Sequence, residues 1–255
     1  LLIAVTFIAY MMVTMAWKLS FYRYPGHLST MQLFLMRQVG ESLAQINPTN
    51  VIAGDALKAV LLKRKRVPYK DSIVSLTISR FLVILSALTI IAIGAYLFFD
   101  LLKIRANTVS LTATIAILVA FLIFLLYRLG SGKGVLSPAV RVLTLIGRRF
   151  PESGRIEKTI DKLKEVDGEL IDFYRTRKIR FVAAFLLSFA SWLMGAMEFY
   201  VILYFLGLKA SFLSCVAIEV GVMVFKGLGA FVPGQIGIEE YASKIMLELD
   251  RKSVV

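Results

Sequence analysis

Val232-Pro233-Gly234-Gln235-Ile236-Gly237-Ile238-Glu239-Glu240-Tyr241 directly follows a long apolar segment at residues 212–231. Proline removes a backbone hydrogen-bond donor and glycine lowers helix stability, so a helix should break within this stretch. In a lipid bilayer, broken backbone is tolerated only where it is buried in protein or lines a wet cavity. The stretch therefore predicts a site inside a membrane.

The composition agrees with membrane residence. The chain has 255 residues and is 58% hydrophobic, whereas soluble domains are about 45–50% apolar. A helix needs roughly 20 apolar residues to cross the hydrocarbon core. Segments that approach or exceed this length lie at residues 1–17, 73–99, 109–127, 181–206 and 212–231. We therefore predict an all-α, polytopic helical membrane protein with interrupted or re-entrant helices.

Loop charge predicts the orientation of the chain. The net charge is +13, and the basic residues concentrate at residues 63–66 and 128–180, while the connections at residues 100–108 and 207–211 carry few. Because basic loops remain on the cytoplasmic side, we predict a multi-pass protein of the cell membrane with both basic regions in the cytoplasm. Nucleic acid is not predicted as a partner, because these charges lie between helices rather than on a separate domain.

We treat residues 1–255 as a single membrane domain, with residues 128–180 as a cytoplasmic connector within it. The chain begins with an apolar Leu1 rather than methionine, so we expect that its N-terminal part is missing. The chain has one cysteine and one histidine, which cannot form an internal disulfide or a Cys/His metal cluster. It carries no P-loop, GxSxG or HExxH signature, so neither a catalytic domain nor a cofactor is predicted.

The region around residues 47–55 resembles the opening stretch. In each, a proline is followed seven positions later by a carboxylate, as in Pro48 to Asp55 and Pro233 to Glu240, with glycine in between. An ionisable residue also lies seven positions before each proline, Glu41 in one case and Lys226 in the other. Many transporters are built from repeats whose interrupted segments meet around the substrate. An internal repeat and a chance match both remain open.

Charged residues within apolar segments are costly, so they usually pair or face a cavity. The predicted substrate-binding residues are Glu41, Asp55, Lys58, Arg80, Glu198, Glu219, Lys226, Gln235, Glu239 and Glu240. The backbone motif that shapes the site comprises Pro48, Gly54, Pro233, Gly234 and Gly237. We expect Lys226 and Arg80 to hold a phosphate, and the carboxylates to meet an amine or a sugar.

Other roles remain open for some of these residues. Asp55 and Glu240 could instead stabilise a helix N-terminus. The same two residues and Glu41 could also bind an ion or a proton. Lys58 and the basic residues after it could gather anionic headgroups at the cytoplasmic entrance, or act only as topology determinants.

Three segments taken in order resemble the membrane domain of bacterial lysylphosphatidylglycerol synthetases. They are Gly54-Asp55-Ala56-Leu57-Lys58, Ser79-Arg80-Phe81 and the stretch that ends at Glu240. Glu240 matches the final glutamate of the family motif, whereas Glu239 occupies a variable position that is often arginine in relatives. The resemblance implies a polytopic protein that moves lipids between leaflets. The synthetases' cytosolic aminoacyl-transferase domain is not in this sequence, so the resemblance favours lipid translocation over lipid synthesis.

Two functional hypotheses follow from different classes. The first is a flippase or scramblase-like transporter that moves a phospholipid or another headgroup-bearing lipid through a polar intramembrane groove. The second is a membrane-embedded accessory or transferase subunit that acts on lipid-linked sugars or aminoacylated lipids. The expected partners are membrane lipids, a second copy of the chain as a homodimer, or a lipid-modifying enzyme that the protein supports structurally.

Overall fold

A computed structural model describes residues 1–46, 51–102, 108–149, 154–208, 210–229 and 237–253. These residues form ten helices and no strand. The helices are α1 (Leu2–Leu19), α2 (Thr30–Ile46), α3 (Val51–Arg64), α4 (Tyr69–Leu102), α5 (Thr108–Ser131), α6 (Ser137–Arg149), α7 (Gly154–Thr176), α8 (Lys178–Phe205), α9 (Phe212–Leu228) and α10 (Ile238–Ser253).

Three of these helices are long and apolar enough to cross a membrane. They are α1, α4 and α8, each with a described stretch of at least 18 residues of suitable composition. The expectation of an all-α polytopic membrane protein is therefore confirmed. The predicted spans at residues 109–127 and 212–231 fall on α5 and α9, whose described apolar portions are shorter than those of α1, α4 and α8.

Two pairs of shorter helices form hairpins. α2 and α3 have 17 and 14 residues and pack side by side, as do α9 and α10 with 17 and 16 residues. Each is shorter than the roughly 20 residues of a membrane-crossing helix. Pro48, Pro233 and Gly234 lie between the paired helices, outside the described residues. Gly237 precedes α10 with φ of +83°, a left-handed conformation that favours glycine.

Small residues bring α2 and α3 close together. A Cβ on Gly54 would lie 2.5 Å from the carbonyl oxygen of Gly40 and 3.0 Å from the Cβ of Ala44. Gly40 and Ala44 are four residues apart and share one face of α2, which is the small-residue spacing that permits close helix contact in membranes. Gly54 of the predicted backbone motif therefore acts as a helix-packing residue within α3.

The long helices α1 and α8 pack along each other and against α4. The chain contains two tryptophans, and each joins one of these helices to α4. The indole of Trp17 on α1 donates to Ser75 Oγ at 3.3 Å, and that of Trp192 on α8 donates to Ser86 Oγ at 3.1 Å. A long helix followed by a hairpin thus occurs twice, as α1 to α3 and as α8 to α10.

The basic segment at residues 128–180 contains α6 and α7, of which α7 packs against the spans α4 and α8 while α6 packs against α7. On α7, Leu170 and Phe173 are buried in the main hydrophobic core with Ile78, Leu82 and Phe181. Burial and a 2.8 Å hydrogen bond to Asp172 on α7 raise the pKa of Tyr22, which follows α1. α7 is therefore packed against the helical bundle.

The connection between α5 and α6 is fixed by one buried carboxylate. Asp167 on α7 accepts hydrogen bonds from the backbone N–H groups of Val135 and Leu136 at 2.6 and 3.1 Å. Gly134 approaches the same carboxylate with φ of +74°, and a Cβ there would overlap it. Beyond this turn, α6 is amphipathic, with exposed Val142 and Leu145 beside exposed Arg141.

Candidate functional site

A cavity of about 490 Å³ lies among the helices of the two hairpins and the long helices α1, α4 and α8. Its wall combines many charged side chains with aromatic rings. The charged residues are Arg37, Glu41, Asp55, Lys58, Arg80, Glu198, Glu219, Lys226 and Glu239, and the aromatic ones are Tyr10, Trp17, Trp192 and Phe199. Residues more than 200 positions apart in the sequence thus face one space.

One side of the cavity is an ion cluster that joins α2, α3 and α4. Lys58 Nζ lies 2.6 Å from Glu41 Oε1 and 2.9 Å from Asp55 Oδ1. Arg80 donates from Nε to Asp55 Oδ2 at 2.9 Å, and from Nη2 to Asp55 Oδ1 at 3.0 Å and to Glu41 Oε1 at 3.1 Å. Two cations and two carboxylates therefore compensate one another, through the strong charge-assisted geometry that suits buried ions.

Local sequence explains how Lys58 reaches this cluster. Asp55 and Lys58 are three residues apart, so they lie on the same face of α3. A Cβ on Gly40 would lie 2.5 Å from Cε of Lys58, so glycine at this position leaves room for the lysine stem between the helices. Only 3% of the Lys58 side chain is exposed. Such burial requires the two carboxylate partners.

The second hairpin contributes an ion pair that is far more accessible. Lys226 Nζ on α9 lies 2.8 Å from Glu239 Oε2 on α10, with 38% and 58% of the two side chains exposed. Only 3% of the Lys58 side chain is exposed, so the Lys226–Glu239 pair is the more accessible of the two cationic sites.

Two further carboxylates, Glu198 and Glu219, line the cavity wall. Glu219 on α9 and Glu198 on α8 make no hydrogen bond or ion pair with any part of the chain that the structure describes. Gly195 on α8 makes room for one of them, because a Cβ there would lie 2.8 Å from Glu219 Oε1. The charges of Lys226, Glu239 and Glu198 all act on Glu219.

Sequence reasoning did not select Arg37, although the structure places it in the cavity wall. Its guanidinium lies 5.6 Å from the ring centre of Tyr10 and donates from Nη1 to Gln38 Oε1 at 3.0 Å. Among the described residues, no carboxylate is within ion-pairing distance of it. The sequence contained a pattern that could have identified Arg37, because it precedes Glu41 by one helical turn and so lies on the same face of α2.

The structure separates the adjacent acids of the opening stretch. Glu239 lines the cavity, whereas Glu240 is exposed in the first turn of α10 and does not belong to the cavity wall among the residues described. Gln235 lies outside the described residues. The oxygens of Asp55 bind the side chains of Arg80 and Lys58, so its carboxylate joins helices to one another.

Comparison with known proteins finds one family. No curated protein and no solved structure matches the chain. The family model described as lysylphosphatidylglycerol synthase TM region matches residues 1–249, which confirms the resemblance carried by Gly54-Asp55, Arg80 and the stretch ending at Glu240. Such a match marks a membrane protein of lipid metabolism or transport. Because it extends over nearly the whole sequence, the chain belongs to the lysylphosphatidylglycerol synthase TM region family.

Proposed function

We propose that this protein moves a phospholipid, or another lipid with a polar headgroup, between the two leaflets of the membrane. The observation that carries the proposal is the charged cavity, which is built from two helical hairpins between apolar membrane-spanning helices. Ionisable groups inside a membrane domain are costly and mark pathways for polar substrates. A lipid headgroup would pass through the cavity while its acyl chains remain in the bilayer.

The size of the cavity agrees with a headgroup. Its volume of about 490 Å³ falls in the range of about 300–1,000 Å³ typical of small-molecule sites. The lining Tyr10 and Ile202 are 42% and 41% exposed. Acyl chains next to these exposed apolar side chains would remain outside the cavity.

The charges divide the proposed roles among the lining residues. The cluster of Lys58, Arg80, Glu41 and Asp55 is internally compensated, so its role is to hold α2, α3 and α4 together around the space. Arg37 has no such carboxylate partner among the described residues and is the best candidate for the lipid phosphate, since guanidinium binds phosphate through several donors.

The cavity residues on α8 and α9 suit a cationic or hydroxyl-rich group. Glu198 and Glu219 supply acceptors without competing ion pairs, and the rings of Trp192 and Phe199 also line the cavity. Carboxylates accept hydrogen bonds from amines and hydroxyls, and aromatic faces attract cations. An aminoacylated phosphatidylglycerol would bind both Arg37 and these acceptors, and so would another amine-bearing or glycosylated phospholipid.

The remaining parts of the proposal follow from the same assignment. The protein would lie in the cell membrane with the basic residues 63–66 and 128–180 in the cytoplasm. We assign it no catalytic step. A homodimer or a complex with a lipid-modifying enzyme would place the cavity next to the source of its lipid.

Purified protein in liposomes tests the proposal. Phospholipid labelled on the headgroup is incorporated, and a membrane-impermeant reductant bleaches the label in the outer leaflet. If the protein moves lipid, bleaching should continue beyond the outer-leaflet fraction faster than in protein-free liposomes. The measurement is repeated with and without ion gradients and with anionic, zwitterionic and aminoacylated lipids. Equal rates in the two preparations under all these conditions would reject the proposed lipid transport.

A further inference from the structure

Glu219 is a partly buried carboxylate in the cavity wall that the proposed headgroup contacts do not fully explain. It lies on α9 and faces Gly195 on α8. A Cβ added to Gly195 would lie 2.8 Å from Glu219 Oε1, so only glycine leaves enough room for the carboxylate. Within the described parts of the chain it has no hydrogen-bond or ion-pair partner. The partly buried acids Glu41 and Asp55 in the same cavity wall each have two cationic partners.

The charges around Glu219 do not balance. Glu198 faces it from α8, Lys226 from α9 and Glu239 from α10. Lys226 already forms a 2.8 Å ion pair with Glu239. From α4, the guanidinium of Arg80 lines the same cavity but is held by Asp55 and Glu41.

This wall therefore holds three carboxylates and one ammonium. Two ionised carboxylates without partners would be strongly unfavourable in a low-dielectric setting, and such a group usually becomes neutral instead. A proton is the smallest ligand that neutralises one of them. Glu219 is the one of the two for which α8 leaves space, at Gly195.

We propose that Glu219 is a proton-binding site of the cavity, protonated while the cavity is empty and deprotonated when a cationic group or water reaches it past the exposed Lys226–Glu239 pair. If the lipid movement proposed above takes place, the same site would couple that movement to proton movement. This coupling rests on the proposed function, whereas proton binding at Glu219 does not.

Infrared difference spectroscopy of the protein in liposomes tests the proton site directly. As the pH of the bulk solution is raised, the C=O stretching band of a protonated carboxyl should disappear, and the band should shift in D₂O. Glu219→Gln should remove this band, whereas Glu248→Gln, the same change at an exposed position of α10, should retain it. Glu219→Asp should restore a titrating band. A spectrum of Glu219→Gln identical to that of the wild type would overturn the proposal.

Lipid movement supplies the second readout. With a pH gradient across the liposomes, the wild type should move labelled phospholipid at a rate that depends on the sign of the gradient, and Glu219→Gln should lose that dependence. A wild-type rate that ignores the gradient would reject the coupling. If the wild type moves no lipid at all, the proposed function fails, and the infrared band still decides whether Glu219 binds a proton.

Discussion

The guanidinium of Arg80 on α4 holds both carboxylate oxygens of Asp55 on α3, at 2.9 Å from Nε and 3.0 Å from Nη2. This two-point geometry is the arrangement in which arginine binds a carboxylate most specifically. It fixes the first hairpin against a membrane-spanning helix. The wall of the cavity therefore depends on contacts between residues 25 positions apart in the sequence.

Removing either partner of this pair should destabilise the protein more than removing both. Arg80→Ala leaves Asp55 and Glu41 with Lys58 as their only ion-pair partner among the described residues, and an uncompensated buried charge costs about 3–5 kcal/mol, less where the groups are partly exposed. The two residues are 29% and 22% exposed, so we expect about 1–3 kcal/mol. A double-mutant cycle of Arg80→Ala and Asp55→Ala, read as thermal unfolding in detergent, measures the coupling.

The matched control for this cycle is the exposed pair Lys70 and Glu165, whose side chains are 64% and 60% exposed. An exposed ion pair contributes about 0–1 kcal/mol, so its cycle should show little coupling. Equal coupling energies in the two cycles would contradict a structural role for the Arg80–Asp55 contact.

Gly54→Ala should separate α2 from α3. The new methyl group would lie 2.5 Å from the carbonyl oxygen of Gly40, and overpacking of this kind costs about 1–3 kcal/mol. Gly168→Ala is the matched control, because this helical glycine has nothing within 4 Å of the added Cβ. That change should be neutral or stabilise α7 by up to about 1 kcal/mol. Thermal unfolding midpoints of the two variants test the difference, and a Gly54→Ala midpoint at or above that of Gly168→Ala would refute it.

Arg37→Gln should slow lipid movement without loss of the fold. If Arg37 binds the phosphate, loss of a charge-assisted contact removes about 1.5–3 kcal/mol, equivalent to roughly a tenfold to hundredfold change in affinity. The rate in liposomes should fall most at low lipid concentration. Arg141→Gln removes the same charge from the exposed face of α6 and should retain the wild-type rate. Equal rates for the two variants would remove Arg37 from the binding site.

Glu239→Gln should affect lipid movement more than Glu240→Gln. Of these two acids, as far as the described residues show, Glu239 lines the cavity and pairs with Lys226, and Glu240 does neither. The resemblance to the family motif had pointed to Glu240 instead. Charge reversal sharpens the test: Lys226→Glu and Glu239→Lys should each reduce the rate, and the double variant should recover part of it. A larger effect of Glu240→Gln would instead support the role expected from the family motif. Glu248→Gln serves as the exposed control on the same helix.

Much of the architecture was predictable because membrane insertion depends on local composition. Apolar segments identified the helices α1, α4 and α8, and glycine and proline predicted the interruptions before α3 and α10. Most of the charged residues that line the cavity could be selected from the sequence as ionisable residues in or next to apolar segments. Arg37 was missed because the amphipathic character of α2 fits equally well a surface helix and a helix that faces a cavity.

The pairing of the charges could not be predicted in the same way. Lys226 was expected to hold a phosphate together with Arg80, yet the structure shows each bound to carboxylates, Lys226 to Glu239 and Arg80 to Asp55 and Glu41. Such contacts depend on how far each helix is rotated about its axis when it packs. A rotation of one residue, about 100°, exchanges the positions of Glu239 and Glu240.

The sequence by itself determined that the chain resides in a membrane, that two proline-containing segments interrupt its helices, and that ionisable side chains lie within apolar stretches. Composition and spacing suffice for these features, because they reflect the free energy of each segment in lipid. Only the tertiary structure decided that Arg37, Glu198, Glu219 and Glu239 face one cavity and that Glu240 does not. The physical reason is that these side chains meet across helix interfaces, where close packing at Gly40, Gly54 and Gly195 fixes the distance and rotation of each helix.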